Sequence, residues 1–111
     1  MIQLNEISKS FGKTKVLNNI SFEVPKSSIV GFLGPNGAGK TTTLEIISSL
    51  LLQDSGEVSI DGASFGENPN SYRRSISYLP EVPAVYPELT VRSYLRSFAN
   101  LYGLSLSLIH I

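Results

Sequence analysis

Apolar residues recur along this chain at two different periods, and the switches between them outline its elements. Ile2 and Leu4 alternate with polar neighbours until the pattern slips at Glu6 and Ile7, which predicts an edge strand buried on one face. Phe11 and Gly12 follow in a polar turn. Ile20, Phe22 and Val24 then mark one face of a second strand over 16–24 that Pro25 ends, so the first segment reads as an antiparallel meander. Residues 29–33, IVGFL, are apolar without alternation, the pattern of a central strand covered on both faces. After a glycine-rich stretch, Leu44, Ile47 and Leu51 adopt helical spacing, which predicts a helix over 41–52 that the Asp-Ser-Gly at 54–56 ends. A short strand over 57–60 closes on Asp61-Gly62, Pro69 suits the first turn of a short helix over 68–74, and 76–79 is a further strand stopped by Pro80. The clearest amphipathic helix carries Val91, Tyr94, Leu95, Phe98, Ala99 and Tyr102 on one stripe, with Thr90 as N-cap and Gly103 as C-cap. The order of elements is that of an α/β domain with an antiparallel β layer at its N-terminus.

The glycine-rich stretch changes this from a fold pattern into a site. Gly34, Pro35, Asn36, Gly37, Ala38, Gly39, Lys40, Thr41 and Thr42 fit G-x-x-x-x-G-K-[ST] between a strand pattern and a helix pattern, the context in which that motif binds phosphate. A nucleoside triphosphate is a dense polyanion, and glycines let successive backbone N–H groups converge on it while the helix start adds its positive end. Lys40 supplies a charge for the β- and γ-phosphates, the Thr41 hydroxyl a ligand for Mg²⁺, and Thr42 a further hydroxyl and amide near the α-phosphate. The fold class expected is therefore a P-loop NTPase core with that β layer.

Composition narrows the alternatives. Nine Lys and Arg balance nine Asp and Glu over 111 residues, so there is no general attraction for nucleic acid, and phosphate affinity must be local. With no cysteine and one histidine, His110, there is no disulfide framework, thiolate zinc site or histidine cluster. No secretory signal opens the chain, and the most apolar stretch, 44–52, is broken by Ser48 and Ser49, well short of the ~20 residues a membrane span needs. Membrane association is thus expected only through a partner. Arg73, Arg74, Arg92 and Arg96 read as solvated helix faces.

The ordered motifs FGKTKVLNNISFEV, GPNGAGKTTTLEIISSLL, DSGEVSIDG and ISYLPE resemble the N-terminal part of an ABC-transporter ATP-binding subunit, over about residues 2–104. The resemblance implies that Phe11 stacks on adenine, that Val16 touches the nucleotide, and that ATP with Mg²⁺ is the ligand. It also places Glu81 where the family most often has Gln, as a second Mg²⁺ ligand and a contact to the membrane-spanning partner. The stretch LPEVPAVYPELTVRSYLRSFANLYGL is similar to that of ABC-2 type exporters, so export is the implied direction, although Ser93 stands where those relatives often carry an acid. The implied partners are transmembrane permease subunits and a second ATP-binding subunit in a head-to-tail dimer, with the protein held at the cytoplasmic face of the cell membrane.

The family's LSGGQ signature, Walker B Asp–Glu pair and switch histidine do not occur in these 111 residues, and His110 is not that switch. No residue is therefore assigned as catalytic; ATPase activity is expected of a full-length protein and not of this piece. Residues 1–105 are read as the N-terminal part of the domain. Residues 106–111, LSLIHI, match a translation of a transposon-end sequencing adapter, CTG-TCT-CTT-ATA-CAC-ATC, and are read as a non-native tail. Two other readings stand beside transport: a soluble ABC-type ATPase of translation or DNA repair, and a truncated fragment without function.

Overall fold

A computed structural model describes residues 1–104, which fall into two compact units, Met1–Tyr78 and the residues from Leu79 onward. The tail at 106–111 and His110 lie outside the described residues. In the first unit, β1 (Ile2–Phe11), β2 (Thr14–Val24), β3 (Ser55–Ile60) and β4 (Ala63–Ser64) form one sheet in the order β2-β1-β3-β4, with all neighbours antiparallel. The antiparallel layer is thus present, but β1 is not an edge: β3 returns along its free side and makes it interior.

The slip in alternation at Glu6 is a β-bulge. Leu4 pairs with Phe22 and Ile7 with Ile20, so two residues between them face one, and Glu6 takes φ 52° with its N–H on the Ser21 hydroxyl at 2.8 Å. That extra residue lets Leu4 and Ile7, three apart, both be buried in the core. On the other side of the bulge, Gly56 sits at φ 87°, and a Cβ there would lie 2.4 Å from the Glu6 carbonyl oxygen. The glycine read as a turn residue is therefore required by the bulge opposite it. Asp61 and Gly62, both at positive φ, make the two-residue turn from β3 to β4 as expected.

Helix α1 (Lys40–Ile47) buries Thr43, Ile46 and Ile47, and the two isoleucines pack into one core with Leu4, Ile7, Leu17, Val58, Ile60 and Tyr72. It ends five residues before the predicted limit. Ser49 adopts the left-handed conformation usually taken by glycine, and the N–H groups of Ser49 and Leu50 return to the carbonyls of Ile46 and Glu45 at 3.0 Å each. Leu51, which fitted the helical spacing, lies beyond this cap. Helix α2 (Pro69–Arg74) starts as its sequence predicts, with the Asn68 side chain accepting from the Ser71 N–H at 3.1 Å and Pro69 in the first turn. Its Tyr72 is fully buried, donates its hydroxyl to the Ile47 carbonyl at 2.6 Å, and so satisfies the C-terminal end of α1. Burial pushes the Tyr72 phenol up to about 12.

Two predicted strands do not form. Residues 29–33 and 76–79 join no ladder among the described residues. Phe32 packs on Phe22 with ring centroids 5.5 Å apart, while Ile29 and Leu33 are bare. One face of the run is therefore partly covered and the other open, with a groove of about 240 Å³ between it, β2, α1 and residues 76–78. A strand is defined by its neighbours, and an apolar run without one stays an extended segment.

In the second unit, α3 (Val91–Leu101) is capped at both ends as read. Thr90 accepts from the Ser93 N–H at 3.1 Å, and the Leu104 N–H donates to the Ala99 carbonyl at 2.8 Å with Gly103 between. Tyr94 and Phe98 stack at 4.7 Å, but only Ala99 of this helix is buried. Among the described residues, no helix is long and apolar enough to cross a membrane.

Candidate functional site

The glycine loop, residues 34–39, joins the 29–33 run to α1. Its local shape follows from a turn in which the Ala38 N–H donates to the Pro35 carbonyl at 3.2 Å, and from Gly39, which caps α1 at φ 93°. No side chain caps this helix start and its first turn holds no acid, so the positive end of the helix and its free N–H groups remain open to an anion. Lys40 folds over the loop and donates to the carbonyls of Gly34 and, at 3.3 Å, Pro35. Its ammonium is thereby placed beside the loop backbone. Thr41 is exposed, Thr42 half-buried, and Thr43 buried.

Gly39 is the tightest point. Besides its left-handed backbone, a Cβ at this position would stand 2.6 Å from Leu17 Cδ2 and 3.2 Å from the Val16 carbonyl oxygen. The loop is therefore seated directly on β2. At this point the ladder bulges again: Lys9 pairs with Leu17 and Ser10 with Lys15, which leaves Val16 as the extra residue, with Cγ1 3.5 Å from that Cβ position. Thr43 anchors the loop from the helix side, its buried hydroxyl donating to the Gly39 carbonyl at 2.7 Å.

Of the residues singled out from sequence, the structure brings 34–42 and Val16 together. Phe11 closes the same hairpin opposite Thr14, half-exposed, with Lys9 Nζ 5.5 Å from its ring centroid. Glu81 is exposed in the second unit, whereas Thr41 belongs to the first. Three further residues support the site without any motif to mark them: Thr43, Lys9 and Asp54, the last read only as part of the turn after the helix. Asp54 accepts from the Ser10 N–H at 2.7 Å and from Lys9 Nζ at 3.3 Å, and these two bonds hold its carboxyl below the usual carboxylate range.

The sequence pattern of the ABC transporter family matches residues 17–104. The chain belongs to that family. It is 37% identical over 105 residues to the ABC-type transporter ATP-binding protein EcsA of Bacillus subtilis, covering 95% of this chain and 42% of that protein. It is 40% identical over 93 residues to the lipopolysaccharide export system ATP-binding protein LptB of Haemophilus influenzae, covering 82% of this chain and 39% of the relative. The fold is similar to a solved ATP-binding subunit of an ABC transporter with a TM-score of 0.84 at 37% identity, over 95% of this chain and 44% of that one. This ABC transporter family chain thus spans less than half the length of these relatives. Its glycine loop lies within the matched region, and Phe11 and Val16 lie just before it.

Proposed function

We propose that this chain carries the nucleotide-binding part of an ATP-binding subunit that powers export through separate membrane-spanning permease subunits. The observation that supports this most is the loop itself: a glycine at φ 93° that no larger residue can replace without striking β2, an uncapped helix start, and a lysine lying over the loop backbone. These are the properties of a cradle for a polyphosphate. ATP occupies residues 34–42 with Lys40 toward the β- and γ-phosphates, Val16 against the nucleotide and Phe11 on the base. Thr41 and Glu81 are the candidate Mg²⁺ ligands; both offer hard oxygen donors suited to that ion, which when bound offsets charge on the phosphate oxygens. The export direction rests on relatives such as the lipopolysaccharide export protein and on the 79–104 stretch. A second subunit in a head-to-tail dimer and a place at the cytoplasmic face of the membrane complete the reading. A soluble ATPase of translation or DNA repair is not favoured by the named relatives, which are transporter components.

The test uses a full-length subunit containing these residues, assembled with its permease. Lys40→Ala is expected to cut ATP turnover by at least ~100-fold by removing charge opposite the transferring phosphate. Equal turnover by the parent and the variant would remove the assignment.

A further inference from the structure

Lys9 and Asp54 lie outside the glycine loop, yet they converge on the residue assigned to the base. Lys9 and Phe11 are two apart on β1 and so share one face of the strand. Lys9 Nζ stands 5.5 Å from the Phe11 ring centroid, within the range at which an ammonium is attracted by an aromatic face. It is not a freely sweeping charge: its side chain is only 16% exposed, and Asp54 Oδ1 accepts from it at 3.3 Å. Asp54 is tied in turn to the backbone on either side of Lys9. Its N–H donates to the Ser8 carbonyl at 2.9 Å, and its Oδ2 accepts from the Ser10 N–H at 2.7 Å. Three bonds from one residue thus fix a segment of β1, the ammonium above it and, through the ammonium, the ring beside it.

Phe11 needs such support. It ends its strand at the tip of a hairpin, half-exposed, where a side chain with two rotatable bonds would otherwise exchange rotamers. Holding the ring in place before the ligand arrives lowers the ordering cost of stacking. We propose that Asp54 and Lys9 are positioning residues for Phe11, setting affinity for the base of the nucleotide while leaving affinity for its phosphates to residues 34–42. This rests on the nucleotide reading above, and the experiment separates the two.

A full-length subunit containing these residues is titrated with Mg²⁺·ATP and, in parallel, with inorganic tripolyphosphate, which has the phosphates and no base. Asp54→Ala and Lys9→Met are each expected to weaken ATP about 2- to 5-fold, the range of one exposed cation–aromatic contact, and to leave tripolyphosphate unchanged. In a Phe11→Ala background, Asp54→Ala should produce no further loss. Asp54→Asn, which keeps the side chain's size, takes its place if the alanine variant does not fold. An equal loss for both ligands, or an additive loss on top of Phe11→Ala, would show a structural tie only and overturn the proposal. Lys40→Ala should weaken both ligands; if it weakens neither, or if the unmodified subunit binds neither, the nucleotide reading itself fails and the proposal falls with it.

Discussion

Leu17 and Leu33 make an instructive pair. Leu17 is 1% exposed and Leu33 95% exposed, although each stands in an apolar stretch that reads as a strand. The difference is one of partners. Around Leu17, β1 pairs with β2 through a tight hairpin and with β3 on its other side, so every ladder finds its partner within the described residues, and α1 lies on the result. Residues 29–33 have no strand beside them among the described residues, and the groove next to them stays open. Hydrophobic patterning reports which side chains gain from burial; it does not report whether the covering surface lies within the same piece of chain. The relatives, more than twice as long, have ample further chain from which such cover can come.

The largest effect should come from testing that difference directly. Leu17→Ala is expected to cost about 2–5 kcal/mol, because it empties a packed position under the loop. Leu33→Ala in the same chain should change stability by less than about 0.5 kcal/mol. Urea unfolding followed by circular dichroism reads both, and comparable losses would mean that 29–33 is packed after all.

A smaller change sharpens the boundary where the two regions meet. Gly39→Ala places a methyl against Leu17 and the Val16 carbonyl at a backbone angle unsuited to alanine, with an expected cost of about 1–3 kcal/mol. The same denaturant curve measures it. Gly37→Ala, also at positive φ but with open space around the added methyl, is the comparison and should cost less.

The smallest effect concerns the far end of α1. Tyr72→Phe removes the donor to the Ile47 carbonyl, and a loss of about 1 kcal/mol is expected. The phenol also gives this site a pH signature. Burial raises it from 10.0 to about 12, so its contribution is whole below pH 10, where both states are protonated. Above that, the unfolded chain ionises first, and stability falls as the pH climbs toward 12. That slope should be missing from the phenylalanine variant; an unchanged slope would show that Tyr72 is not its source.

Much of the site was legible in the sequence because it is local. The glycine loop, its lysine and the helix after it are contiguous, and the turn at Asp61-Gly62, Pro69 in the first turn of α2, the Thr90 cap and Gly103 after α3 are fixed by residues within a few positions. What could not be read depends on chain that is distant in sequence. β1 became interior because β3, some 50 residues on, pairs with it, and Gly56 is glycine because of a carbonyl at Glu6. The bulge at Val16 appears in no spacing rule, and α1 stops at a serine in a conformation that favours glycine. Phe11 and Val16 were reached through family resemblance; the structure adds the packing of Val16 on the loop and the tie from Asp54 through Lys9 to Phe11.

The central claim is that residues 34–42 form an anion cradle completed by Lys40. Calorimetric titration of a full-length subunit containing these residues with Mg²⁺·ATP, beside its Lys40→Ala variant, tests this most directly. Saturable binding by the parent that weakens at least ~10-fold in the variant is the predicted result. Equal affinities in the two proteins would contradict it.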